Sequence, residues 1–247
     1  MPAVPDHGHL AETALPADTI GLLEGLTTTR TIRRYRDEPI PAGALRAILF
    51  AATRAPSGSN RQPFRFVVLR DGPNARDAKR LIGAAARRLW GAKRAADAYD
   101  SGSGSEERSP KARLARTMQE FVEDFEHVPV LILPCFVRCR EPMPTEGASV
   151  YPACENLLLA ARALGYGGAF SGWNSVVDAE LRELLNIPNG TFIAGTITLG
   201  RPAGRHGPVR RRPLGELVYE ERWGVAADWA IDPPGTAFTS AGPPLSA

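Results

Sequence analysis

Apolar residues recur at helical spacing in several stretches of the chain, each bounded by turn formers. Ile20, Leu22, Leu23 and Leu26 follow Asp18-Thr19, a pair suited to cap a helix, and the β-branched hydroxyl run Thr27-Thr28-Thr29 is expected to end it. Pro41 at a first helical position opens a second helix through Leu45, Ile48, Leu49 and Ala52, which Ala55-Pro56 stops. Residues 64–69 form a short β-prone run closed by Asp71-Gly72-Pro73, a strand and a turn. A long Ala/Arg helix is expected over about 74–98. The Ser/Gly stretch at 101–105 then reads as a hinge, and Pro110 starts a helix with Leu114, Met118, Phe121 and Phe125 on one face. The insertion over about 90–126 is a lid candidate, with a surface insertion as the alternative.

The second half carries a strand at 128–137, in which Pro134 implies an edge or a bulge because it has no N–H for a ladder. The clearest helix covers 149–164, with Leu157, Leu158, Ala161 and Leu164 as its stripe and Gly165 as its terminator. Residues 167–171 form a small-residue segment able to run close beside a ligand. A helix at 178–185, a strand at 191–199, an arginine loop and a last apolar segment at 214–219 follow. Residues 1–18 read as a flexible arm, 19–224 as one domain, and 225–247 as a tail that is disordered or wraps a partner subunit. Helices and strands alternate without a βαβ rhythm, which makes the fold class α+β.

The chain has 247 residues and 43% hydrophobic content, ample for a large core. No apolar stretch approaches the about 20 residues of a membrane span, and the first residues lack a basic start with an apolar run, so no membrane association and a cytoplasmic location are expected. Cys135, Cys139 and Cys154 have no metal-site spacing and read as reduced, buried structural thiols. His7 and His9 are too isolated to make a metal site, and no metal is expected. The formal charge is +3, and nearly all the positive charge is arginine interspersed with acids, which argues against nucleic-acid binding.

His7, His9, His127 and His206 are the only histidines and none adjoins a nucleophile motif, so hydrolase chemistry falls away. No G-x-G-x-x-G fingerprint and no Walker loop is present. Three places remain that suit an anionic, planar ligand. In Arg30-Thr31-Ile32-Arg33-Arg34-Tyr35 the alternate positions Thr31 and Arg33 can point together, and with Arg30 they make a phosphate clamp. A solvated basic turn accounts for that segment equally well. Arg210, Arg211 and Arg212 offer further positive charge to the same phosphate. In residues 55–64, the turn Pro56-Ser57-Gly58-Ser59 leaves backbone N–H groups free, and the Asn60 and Gln62 amides match the donor and acceptor alternation of a flavin's pyrimidine edge. An ordinary capped turn is the alternative there.

The run Ala-Pro-Ser-Gly-x-Asn-x-Gln-Pro-Phe after a helix, with Arg-x-x-Arg-x-Tyr upstream, resembles the nitroreductase family of FMN-dependent oxidoreductases. The resemblance extends over about 28–223 and includes Tyr151-Pro152-Ala153-Cys154-Glu155-Asn156 and the ending Arg-Arg-Pro-Leu-x-Glu. It implies a mainly antiparallel sheet flanked by helices, and a homodimer. It also implies that Arg30, Thr31 and Arg33 hold the FMN phosphate with Arg210, Arg211 and Arg212. Pro56, Ser57, Gly58 and Asn60 would reach the flavin from the other subunit, with Gln62 in the same run. Gly168, Ala169, Phe170 and Ser171 would lie near the isoalloxazine ring, a backbone N–H near Ala169 aimed at N5. Many members have arginine where this chain has Thr29, which sets Thr29 outside the implied phosphate contacts.

No catalytic side chain is then needed, because the cofactor carries the chemistry. The implied activity moves electrons from NADH or NADPH to nitroaromatic, quinone or related conjugated small molecules by a ping-pong mechanism. The alternatives are a specialised flavin enzyme (reductive dehalogenation, dehydrogenation or flavin fragmentation) and an FMN-sequestering protein without turnover.

Overall fold

The computed structural model describes residues 15–239. Most of the expected arm, His7 and His9 with it, and residues 240–247 of the expected tail lie outside the described residues.

Among the described residues, six α-helices and five strands make up the regular part: α1 Leu22–Thr28, α2 Ala42–Ala52, β1 Phe64–Leu69, α3 Pro73–Ala96, α4 Pro110–Glu123, β2 Val130–Val137, α5 Tyr151–Ala163, β3 Gly167–Ser171, α6 Asp178–Leu185, β4 Thr191–Ile193 and β5 Thr196–Gly200. The sheet runs in the order β1-β2-β5-β3, with β4 also on β2, and every pairing between named strands is antiparallel. Strand β2 lies inside the sheet, and both its faces are covered. Val130 and Ile132 face the core shared with α2 and α5, while Leu131, Leu133 and Cys135 face the core shared with α3 and α6. Burial on both faces explains why β2 reads as an unbroken apolar run without polar alternation.

Pro134 is accommodated by a bulge. Ile132 pairs with Ile197 and Cys135 with Ile193, so the β4–β5 side holds one residue more than β2 between the two pairs. The extra residue falls at Ala194-Gly195, where Ala194 N–H donates to the Pro134 carbonyl at 2.8 Å and Pro134 has no N–H to leave unpaired. The stretch expected as one strand over 191–199 is therefore two.

Several local expectations are corrected. Helix α1 runs through Thr28 because the Thr27 and Thr28 hydroxyls donate to the Leu23 and Glu24 carbonyls one turn back, at 2.8 and 2.6 Å, and so stay within the helix. Thr19 caps nothing; its N–H and Oγ1 both donate to the Ala163 carbonyl at 2.8 Å and tie the chain to the end of α5. Pro41 precedes α2 as its N-cap. The buried face of α4 is Ala115, Phe121 and Val122, with Leu114 exposed, and Phe125 lies in the 3-10 turn beyond it. The Ser/Gly stretch forms a 3-10 turn, Gly102–Ser105. Residues 167–171, expected only as a small-residue segment, are strand β3.

Helix α5 ends as the glycine signal requires. Gly165 takes φ +79°, its N–H donates to the Arg162 carbonyl at 3.1 Å, and Tyr166 N–H donates to the Ala161 carbonyl at 2.8 Å. That turn delivers the chain directly into β3.

Candidate functional site

Between the end of α1, α5, the open edge of β3 and the chain after β5 lies a cavity of about 950 Å³. The segment following α1 reaches it because Ile32 is buried and Tyr35 is pinned, which sends the residues between them outward. Ile32 N–H donates to the Gly168 carbonyl at 2.9 Å. The buried Tyr35 hydroxyl donates to the Ile32 carbonyl and accepts from Thr198 Oγ1, both at 2.7 Å, and burial pushes its phenol well above the ordinary value. Alternation then puts Thr31 and Arg33 in the cavity lining with Arg30.

Arg211 and Arg212 arrive from the loop after β5, so four guanidiniums face only two carboxylates in the lining, Glu155 and Asp232. Neither the Arg30 nor the Arg33 guanidinium has a hydrogen bond or ion pair among the described residues, and burial pushes Arg33 below its ordinary value. A partly buried guanidinium without a counter-ion is costly unless an anion joins it. Thr29 also lines the cavity, and its Oγ1 is buried without a hydrogen-bond partner. These orphaned donors fit a phosphate.

His206 fixes the arginine segment. Its Nε2–H donates to the Tyr166 carbonyl at 3.2 Å and its Nδ1 accepts the Arg30 N–H at 3.4 Å, while Gly207 N–H donates to the Thr28 carbonyl at 3.2 Å. Burial lowers the imidazole's pKa, partly offset by the Tyr166 hydrogen bond, with Arg162 and Arg30 adding to the lowering. Neutral His206 can accept at Nδ1; the protonated ring cannot.

Strand β3 supplies the flat wall. Hydrogen bonds alternate along an antiparallel edge, and Gly168 turns its carbonyl outward to Ile32, so Ala169 faces its pair Thr198 and Phe170 turns outward again. Gly168 and Phe170 therefore turn their N–H groups toward the open edge, on either side of Ala169. Gly168 and Phe170 line the cavity, whereas Ala169 and Ser171 do not. The Phe170 ring lies over Gly195, where an added Cβ would sit 2.4 Å from it, and meets Tyr151 edge-on at 6.0 Å. The bulge glycine thus makes room for the ring.

The structure does not bring every expected residue here. Arg210 lies outside the lining. Pro56, Ser57, Gly58, Asn60 and Gln62 form a separate exposed turn, absent from the cavity of their own chain. Ser57 Oγ accepts Gln62 N–H at 3.0 Å, Gly58 N–H donates to Ser149 Oγ at 3.1 Å, and Gln62 Nε2 donates to Asn60 Oδ1 at 3.2 Å. Ser59, Asn60 and Gln62 have φ of 53°, 51° and 48°, a left-handed conformation that bonds within the run and to Ser149 brace. Glu155, Leu158 and His206, which the sequence shows only as part of a motif, a helix stripe and a lone histidine, and the late residues Asp232, Pro233 and Thr236 were not expected at the site. Nothing local marks them, because the contacts that give them their places span much of the chain.

Cys135 and Cys154 are buried, and burial pushes their thiols up to about 11 and about 12; Cys139 differs from expectation in being exposed, its Sγ 3.6 Å from the Arg61 guanidinium. Among the described residues no helix is long and apolar enough to cross a membrane.

Comparison with known proteins agrees with this geometry. The model of the nitroreductase family matches residues 26–201. An NADH dehydrogenase of Thermus thermophilus is 29% identical over 223 residues, covering 81% of this chain and 97% of that protein. A protein of Desulfovibrio desulfuricans assigned as a nitroreductase, solved in complex with FMN, is 28% identical with a TM-score of 0.58, over 81% of this chain and 96% of that one. The fold is also that of an FMN- and NADPH-dependent nitroreductase from Sphingopyxis sp. strain HMH, at a TM-score of 0.63 and 20% identity over 83% of this chain and 100% of that one. The chain belongs to the nitroreductase family.

Proposed function

We propose that this protein is an FMN-dependent oxidoreductase that passes electrons from NADH or NADPH to small conjugated acceptors such as nitroaromatics or quinones. The observation that carries the reading is the unpaired Arg30 and Arg33 in one cavity with Arg211, Arg212 and the open edge of β3. Bound FMN supplies two-electron transfer, and the protein needs only to bind, orient and tune it. Arg30, Arg33, Arg211 and Arg212, with Thr29 and Thr31, hold the phosphate. The Phe170 N–H would be free to donate to the flavin, and the Phe170 and Leu158 side chains would keep water from that wall.

The cavity is open on one side within a single chain, and the turn at 56–62 stands apart from it. Leu22 and Leu23 are 73% and 76% exposed, and Trp223 is 91% exposed, large apolar side chains that a partner surface would cover. A second copy of the chain covers these residues and brings its own Pro56, Ser57, Gly58, Asn60 and Gln62 to the open side.

An absorbance spectrum of the purified protein followed by anaerobic stopped-flow mixing with NADH and with NADPH tests the reading. A flavin spectrum that bleaches with at least one donor and recovers with an added quinone is expected. A yellow protein that neither donor bleaches would overturn the oxidoreductase assignment, and a colourless protein that binds no FMN would overturn the cofactor as well. Steady-state plots at varied donor and acceptor are expected to give parallel lines, because each reactant meets the same open wall in turn.

A further inference from the structure

Lys79 is one of only three lysines in a chain rich in arginine, and it is 5% exposed. From the second turn of α3 it lines another cavity, of about 410 Å³, between residues 37–40, the end of β1 and the segment 126–130. None of the residues lining this cavity lines the one described above. Lys79 Nζ donates to the Arg70 carbonyl at 2.8 Å and has no ion pair among the described residues. Burial holds the ammonium below its ordinary value, with Asp71 acting in the opposite direction. A buried ammonium satisfied by one carbonyl is costly, and shedding its proton relieves that cost. An arginine in this place could not shed one.

The same lining holds cations with donors to spare. Arg70 Nη2 donates to the Ile40 carbonyl at 3.2 Å and Arg76 Nη1 to the Asp71 carbonyl at 2.8 Å, and neither guanidinium has an ion pair among the described residues. Two carboxylates of the lining are engaged elsewhere, Glu38 with Arg201 at 2.7 Å and Glu126 with Arg87 at 2.8 Å. Asp37 and Asp71 stay available as proton relays beside the amine.

We propose that Lys79 is the nucleophile of a second site, where it condenses with a small anionic aldehyde whose acidic group Arg70 and Arg76 hold. The Nζ lone pair attacks the aldehyde carbon, and the carbonyl oxygen leaves as water with both amine hydrogens as the C=N bond forms. Nothing is oxidised or reduced. Once it takes up a proton, the imine nitrogen has a single N–H, which is the donor the Arg70 carbonyl requires, and Asp71 lies close enough to favour the cation. The cavity has the volume for a ring-sized molecule.

The probe is pyridoxal phosphate. Full-length protein is incubated with it at neutral pH, reduced with borohydride to fix the imine as a secondary amine, and digested for mapping by mass spectrometry. Lys79 is expected to be labelled at least about fivefold faster than Lys111 or Lys93, whose bond to Asp97 holds its ammonium above the ordinary value. Pyridoxal, which lacks the phosphate, is expected to show little of that preference. With pyridoxal phosphate, Arg76→Gln is expected to reduce the preference by at least about threefold. Lys79 labelled no faster than Lys111 would overturn the proposal and leave the amine as a tie for the end of β1. A preference that pyridoxal shares in full and that Arg76→Gln does not alter would overturn it as well, since no anion is then being held.

Discussion

Arg33 and Arg34 are adjacent arginines with opposite circumstances. Arg33 is half-buried in the cavity wall without a counter-ion, while Arg34 is exposed and pairs loosely with Glu120 at 3.9 Å. A charge-assisted hydrogen bond to a bound anion contributes about 1.5–3 kcal/mol, so Arg33→Gln is expected to weaken FMN binding by about ten- to a hundredfold. An exposed pair of that length contributes little, and Arg34→Gln is expected to change the affinity by less than about twofold. Calorimetric titration of both variants checks the contrast. His206 carries a pH dependence of definite sign. Its folded pKa lies below the unfolded value, so the unfolded chain takes up this proton first as pH falls. The stability it governs is fully present above about pH 6.5 and declines as pH drops through the lowered folded value. The melting temperature is therefore expected to fall between about pH 7 and about pH 5, and to fall less in His206→Gln, which has no ring to protonate.

Strand β3 shows what a glycine can be required for. A Cβ on Gly168 would meet the Thr198 carbonyl oxygen at 2.5 Å and Leu199 Cδ2 at 2.7 Å, and the first of these is backbone of the paired strand. Gly168→Ala is expected to destabilise the fold by about 1–3 kcal/mol, read as a lowered denaturant midpoint. Gly91 on the exposed face of α3 has nothing near its missing Cβ, and Gly91→Ala is expected to stabilise by about 0.5–1 kcal/mol in the same assay. Elements whose bounds depend on local chemistry were legible beforehand: β1 between a proline and Asp71-Gly72, α4 from Pro110, α6 over 178–185, and the Gly165 terminator. Those decided by distant partners were not. Gly-Gly-Ala-Phe-Ser has little strand preference of its own and becomes β3 by pairing with β5. The rotation of α4 toward Ala115 follows from Trp90 and Val122 beside it in one small cluster, which periodicity alone does not reveal. Likewise Arg30, Thr31 and Arg33 announced themselves by spacing and type, whereas Asp232 enters the site through a single backbone N–H from Leu214.

At the scale of the whole molecule, the bare apolar surface and the detached turn at 56–62 point to one remedy, a second copy. Replacing Leu22 and Leu23, which belong to none of the three core clusters, with glutamate is expected to produce monomers that fold but release FMN. Sedimentation velocity with flavin absorbance as the second signal tests it. A monomer that retained its yellow colour would show that one chain completes the site unaided. The cavity also has a history within each chain. Its walls come from 26–33, from 155–170, from the loop bearing His206 to Arg212 and from 232–236, and the bond from Arg30 to His206 joins positions 176 residues apart. Closing such long loops is slow compared with forming α3 or the β1–β2 ladder. Nearly the whole polypeptide must therefore have left the ribosome before anything in it can grip a phosphate. Flavin capture becomes a report that folding has finished: on refolding with FMN present, far-ultraviolet ellipticity should recover first and flavin quenching should trail it.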